Sequence, residues 1–281
     1  MQGSPLEDID FNLLFWNLGL NNNPELIREC IEYTNADIAL FAEWGQLDTV
    51  ALSAILPDDY RILPTMFDDA KILAVIKSSI ELINIQEQTR YVVYSLSHFG
   101  KQYVLAGIHL QDKHSHPHDV ARRVTAQDLL KDVRQERANL SGAEAIIIGD
   151  FNVEPYDEIL RTPNLFNAVY FKEVISRKKY RTWQRRRYEY LYSPMLCNYS
   201  EDGPQYGSFY CTNLDLETYW HCLDQVLVTP GLADAIKCVS HLRTISDTGL
   251  ISKVAPDKQI SDHLPLSVKL SIKIKDGSHA H

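Results

Sequence analysis

Ala145-Ile146-Ile147-Ile148-Gly149-Asp150-Phe151-Asn152 is the stretch whose reading decides the fold. Three consecutive β-branched residues read as a strand buried on both faces. The run stops at Gly149, and Asp150 and Asn152 follow, presenting a carboxylate and an amide at a strand end. A hard cation or a phosphate needs oxygen ligands and polar N–H groups of that kind. A plain Asx turn accounts for the same residues, because Asp and Asn hydrogen-bond their own backbone. What separates the two readings is how many other strands in the chain end the same way.

Working outward, Phe11–Trp16 is a short apolar run that ends at Asn17. Pro24 opens a helix with an apolar stripe through Leu26, Ile27, Cys30 and Ile31, and Asn35 closes it. Residues 36–42 are a buried strand ending at Glu43. A second helix is expected over 47–56. Four strand-like runs, 60–63, 71–76, 80–85 and 90–97, then read as one antiparallel meander. Residues 102–108 form a strand ending at His109. The longest helix is expected over 117–140, with Val120, Val124, Leu130, Val133 and Leu140 on its apolar face. A short helix at 154–160, strands at 207–212, 223–228 and 238–243, a loop at 247–259 and a last strand through Ile274 complete the chain. Strand runs flanking a few peripheral helices predict an α/β protein with two mixed sheets packed face to face. One domain is expected over 1–276, with a loose tail at 277–281.

The polar strand ends are Asn17, Glu43, His109, Asp150 and Asn152. Asp224 begins its strand, and Asp262 and His263 precede the last one. If those two strands run antiparallel to the others, all eight groups meet at one edge. Glu, three Asp, two His and two Asn suit magnesium, which takes one or two carboxylates plus water and substrate oxygens, and the histidines can move protons.

Composition narrows the classes. The chain has 281 residues, 45% apolar and 23% charged, and a net charge of −9. That is an ordinary globular composition, and the acidity argues against a general nucleic-acid coat protein. It does not exclude a nuclease, because a bound cation reverses the local sign. The five scattered cysteines form no C-x-x-C pair and read as reduced thiols of a cytoplasmic protein. No apolar run reaches membrane-spanning length, and Met1–Asp10 lacks the basic start of a secretory signal.

FWNLG at Asn17, LFAEW at Glu43, GIHL at His109, IIGDFN at Asp150 and Asn152, CLDQVLV at Asp224 and ISDHLP at Asp262 and His263 occur in one order. In that order the chain resembles the endonuclease/exonuclease/phosphatase superfamily, from about Phe11 to Ile274. The resemblance implies a four-layer α/β/β/α sandwich and Mg²⁺-dependent phosphoester hydrolysis, with Mn²⁺ as a substitute. It implies that Glu43 binds the metal, supported by Asn17 and Asp262. Asn152 would touch the scissile phosphate, and His109 would lie near the leaving oxygen. Asp150 would position or deprotonate the attacking water, and His263, oriented by Asp224, would stabilise charge or act as the base. The general base is left open between Asp150 and His263. Leu18-Gly19-Leu20-Asn21 after Asn17 and Trp44-Gly45-Gln46 after Glu43 depart from the usual abasic-site endonuclease motifs.

Arg177–Tyr192 packs seven cations among tyrosines and Trp183. Arg185, Arg186, Arg187 and Trp183 are the expected substrate-binding residues, since cations bind phosphates and aromatic rings stack on unpaired bases. The alternatives are a solvated loop whose arginines pair with acidic neighbours, or contact with an anionic membrane. The expected function is therefore a nuclease acting on DNA or RNA. A phosphatase or phosphodiesterase for a small or lipid phosphate ester is second, and an inert binding module on the same fold third. His114, His116 and His118 are expected to be a polar loop.

Overall fold

The 145–148 run forms a strand whose alternate side chains feed two cores: Ile146 and Ile148 join one hydrophobic cluster, Ala145 and Ile147 another. A strand buried on both faces has no polar side, which is why the run is continuously apolar. The computed structural model describes residues 6–19, 21–112, 119–198, 207–211 and 219–275. The expected tail and His114, His116 and His118 lie outside them.

The first sheet uses β1 (Leu6–Asn17), β2 (Ile38–Ala42), β3 (Tyr60–Leu63) and β4 (Ile72–Lys77), with the strands Ile236–His241 and Leu266–Lys275. Its order is Ile236–His241, Leu266–Lys275, β1, β2, β4, β3. The second sheet uses β5 (Glu81–Gln88), β6 (Tyr91–His98), β7 (Lys101–His109) and β8 (Glu144–Asp150), then Asp224–Val228, Leu191–Tyr192 and Ala168–Val169. Leu13 and Phe15 of β1 meet Leu105, Ile148 and Val226 of the second sheet in the central core. Leu14 and Trp16 face outward onto α1 (Pro24–Thr34) and α2 (Thr49–Ile55). The other outer face, from Val104, Ala106 and Ile147, is covered by α3 (Val120–Asn139). The result is the four-layer sandwich.

Three sequence expectations need correction. The supposed meander is divided between the sheets: β3 and β4 edge the first, and β5, β6 and β7 form the start of the second. The core face of α3 is Ala126, Leu129, Leu130 and Val133, while Val120 and Val124 are exposed. The i, i+3, i+4, i+7 row is decided by the sheet beneath it, and that row includes Arg122 and Glu136, which sequence alone assigns to solvent. Arg122 is tolerated because Asp119 and the Gln111 carbonyl hold its guanidinium. Third, the expected loop at 247–259 carries short strands: Thr248–Gly249 pairs with Thr244–Ile245 just before it, and Ile251–Ser252 pairs with Ala255–Pro256.

The turn from β8 into the site depends on one glycine. A Cβ on Gly149 would lie 1.9 Å from the Ile108 carbonyl oxygen of the adjacent strand β7. We expect Gly149→Ala to cost about 3 kcal/mol or more, because backbone must move to admit it. A urea denaturation midpoint equal to wild type would contradict this packing.

Candidate active site

The parallel pairing of β7 with β8 sets His109 beside Asp150, and the antiparallel Asp224–Val228 strand sets Asp224 beside Asp150 from the other side. Leu266–Lys275 runs antiparallel to β1, so the loop before it reaches the same edge. The condition on which the polar groups converge is therefore met. Ser261 fastens that loop: its Oγ donates to the Asn17 carbonyl at 2.8 Å and accepts from the His263 N–H at 3.0 Å. The Trp16 indole donates to the His263 carbonyl at 3.0 Å.

Asp150 is the hub. Its Oδ2 accepts from Asn17 Nδ2 at 3.0 Å and from Asn152 Nδ2 at 3.2 Å. His109 Nε2 is 3.8 Å and His263 Nε2 4.0 Å from the same oxygen. Oδ1 accepts from the Asn152 N–H at 2.8 Å, so the Asx turn read from the sequence is present and is part of the site. Asn17 Nδ2 also reaches Glu43 Oε1 at 3.3 Å, and His109 Nε2 lies 3.3 Å from that oxygen. The Gly19 N–H holds Asn17 Oδ1 at 3.1 Å, which turns the amide nitrogen toward the carboxylates. Glu43 and Asn152 have φ of 53° and 51°. Left-handed backbone ends a strand, and non-glycine residues held there cluster at functional sites.

His263 Nδ1 is 2.7 Å from Asp224 Oδ2, the contact the sequence led us to expect. Asp224 is fully buried, with its N–H on Ser208 Oγ and its carbonyl 2.9 Å from His241 Nε2. Burial works to lower the His263 pKa, but the Asp224 carboxylate and its hydrogen bond, with Asp150 and Asp262 nearby, outweigh it and raise it to about 10. Burial and the Asp224 charge push Asp150 up to about 7, against the pull of His263 and the bonds from Asn152 and Asn17. Burial, with Arg90 and His263 adding like charge, drives His109 down to about 3, so it stays neutral.

A cavity of about 820 Å³ opens over this edge, lined by Asn17, Glu43, His109, Asp150, Asn152, Asp262 and His263. Among the described residues no Lys or Arg pairs with Asp150, and the His263 imidazole, 4.0 Å away, is the cationic group nearest it, so the carboxylates lining the cavity (Glu43, Asp150 and Asp262) outnumber the cation built into the edge. That oxygen-rich set fits a hard divalent cation. Asp150, Asp224 and His263 also offer ligand atoms within 4.8 Å of one another. However, Asp224 already occupies the Nδ1 side of His263, so that triad suits proton handling better than metal ligation.

All eight polar residues expected at the edge are thus together. Arg185, Arg186, Arg187 and Trp183 are not: they lie on a hairpin, and none lines the cavity. Ser208, His241 and the Glu154–His221 pair (2.5 Å) escaped sequence reading, and Ser261 was read only as part of the ISDHLP motif, without a role. Lys71 and Arg90 of the cavity wall escaped it as well. A lone polar residue in a short segment carries no periodic signal that could have singled them out.

An oxygen-rich edge on a four-layer sandwich is the arrangement of a metal-dependent phosphoesterase. The chain belongs to the Endonuclease/Exonuclease/phosphatase family, which it matches over residues 11–263. No curated protein matches it by sequence. Among solved structures it is similar to truncated Caenorhabditis elegans TDP2, with 15% identity, 94% of this chain and 98% of that one covered, and a TM-score of 0.60. ANGEL2, a 2′,3′-cyclic phosphatase solved with adenosine-2′,3′-vanadate, gives 14% identity, 97% and 99% coverage and a TM-score of 0.59. The Bacteroides thetaiotaomicron mannosyl-6-phosphatase Bt3783 gives 14% identity, 94% and 99% coverage and a TM-score of 0.56. At these identities the likeness is one of fold. No helix among the described residues is long and apolar enough to cross a membrane.

Proposed function

We propose that the protein is a Mg²⁺-dependent phosphodiesterase that hydrolyses nucleic-acid phosphodiesters, with its chemistry centred on Asp150 in a single catalytic domain. The observation that carries this is the convergence of Asn17, Asn152, His109 and His263 on one Asp150 oxygen. Glu43, Asn17 and Asp262 would hold the cation. When bound, the cation supplies neutralisation of phosphoryl charge and polarisation of a water molecule. Asp150, held near 7, is placed to accept a proton from the attacking water. His263, kept protonated by Asp224, donates to the phosphoryl oxygens as negative charge builds on them. This assigns the base role to Asp150 and the electrostatic role to His263. Asn152 offers its amide to the scissile phosphate, and neutral His109 faces the leaving oxygen.

A phosphatase acting on a small phosphate ester is the second reading. The volume of the open cavity, about 820 Å³, favours it, being within the usual range for small-ligand sites. Two proteins of the same fold, the 2′,3′-cyclic phosphatase ANGEL2 and the mannosyl-6-phosphatase Bt3783, act on phosphate esters of this small size. An inert binding module has least support, since all eight polar residues of the strand ends meet at one edge. The test is a panel of single-stranded DNA, duplex DNA, RNA, a 2′,3′-cyclic nucleotide and a sugar phosphate, each with Mg²⁺ and with EDTA. We expect oligonucleotide cleavage in Mg²⁺, retained in Mn²⁺ and absent in EDTA, because the ligand set is rich in oxygen and poor in sulfur. Turnover confined to the sugar phosphate would establish the second reading, and full activity in EDTA would exclude both.

A further inference from the structure

The basic aromatic segment is a free-standing hairpin, Tyr180–Trp183 paired with Arg186–Glu189. Its base is tied down by the Arg137–Glu189 ion pair and by Asn167 Nδ2 donating to the Tyr188 and Glu189 carbonyls. It is rooted away from the catalytic edge. Tyr192, just after it, pairs with Val228, four residues and about 13 Å along the strand from Asp224.

Most cations of this segment are not neutralised. Among the described residues Arg185 and Arg186 of the hairpin, and Lys178 and Lys179 just before it, have no acidic partner, Arg187 lies over the Tyr180 ring at 4.5 Å, and Arg181 donates to the Arg161 carbonyl. Among these residues only Arg177, on the preceding helix, has the acidic partner that the solvated-loop alternative required, Glu173 at 2.6 Å. Trp183 is 40% exposed and Tyr180 37%. The tip adds a further observation. Gln184 and Arg185 have φ of 47° and 64°, the positive values demanded at both centres of a tight two-residue hairpin turn. Asn-Gly is the favoured pair there, so the sequence keeps an arginine at the apex where a less strained residue is available.

We propose that this hairpin is a strand-holding surface, separate from the catalytic cavity, which binds single-stranded nucleic acid through its cations and exposed rings. That the bound strand is the substrate rests on the function proposed above. Unpaired cations supply salt-sensitive phosphate affinity, and rings stack on bases that are not in a duplex. The segment offers few aliphatic residues to insert into a bilayer, which favours a nucleic-acid strand over a membrane surface.

The experiment is fluorescence anisotropy with labelled oligothymidylate, oligouridylate and a duplex, in EDTA across a salt series. Converting Arg185, Arg186 and Arg187 together to Ala should flatten the log–log salt slope by about two units for single strands. Trp183→Ala should weaken single-strand binding about tenfold and leave duplex binding unchanged. Replacing Gln184 and Arg185 by Asn and Gly keeps the turn and should not lower the melting temperature. It should still reduce the slope by about 0.7. Equal slopes for wild type and both charge variants would overturn the proposal. So would charge-dependent binding to phosphatidylserine vesicles with oligonucleotide binding unaltered. Because binding is read without metal, hairpin-dependent binding with no Mg²⁺-dependent cleavage would refute the proposed function and leave the hairpin surface standing.

Discussion

Asp150→Ala is expected to lower kcat on a phosphodiester by about 10³-fold, within the range for loss of a positioned proton acceptor. Asp150 is 1% exposed, and Asn17, Asn152, His109 and His263 all aim at one of its oxygens. The pH profile follows from its pKa. A base must be unprotonated, so activity should rise with pH and fall away as Asp150 takes up its proton. The metal-free value is about 7. A nearby cation favours the carboxylate, which places the acidic limb below pH 7 in Mg²⁺. Metal binding should therefore release a proton near neutrality. A pH–rate series on wild type that shows no acidic limb would count against Asp150 as the base.

The second large effect concerns His263 and Asp224. His263→Ala should lower the rate by about 10²–10³, the scale for a lost group that stabilises developing charge. Asp224→Asn should cost nearly as much. The substitution keeps the shape but removes the charge that holds the His263 pKa up at about 10. The sign is definite: without that carboxylate the imidazole loses its proton at lower pH, so the alkaline limb of the profile should move down. The two residues act as a unit, and the double variant should be no worse than His263→Ala by more than about threefold. Multiplying effects, with an unmoved alkaline limb, would separate the two residues.

Much of the site was legible because chemistry and periodicity coincide there. Asn17, Glu43, His109 and Asp150 each interrupt an apolar run, and a run that ends in a polar residue marks a strand end. Asp224 and His263 needed an added assumption, that their strands run antiparallel to the rest, and the pairing of Asp224 with Asp150 and of Leu266 with Phe15 supplies it. What was hidden depends on three-dimensional neighbours. Val120 and Val124 look like core but face solvent, and Arg122 looks like surface but is buried, because the sheet under α3 selects the face. Ser261 gives no sign in the sequence that it pins two loops together. The basic segment was legible as charge and aromaticity, but its separation from the cavity follows from the pairing of Tyr192 with Val228.

The central claim is that this edge cleaves phosphoesters with a divalent cation and Asp150. The most direct measurement is the initial rate of oligonucleotide cleavage by wild type and Asp150→Ala, purified alike, in Mg²⁺ and again after EDTA. We expect a wild-type rate in Mg²⁺ that falls about 10³-fold on substitution and disappears on chelation. Cleavage by Asp150→Ala equal to wild type, or cleavage that survives chelation, would contradict it.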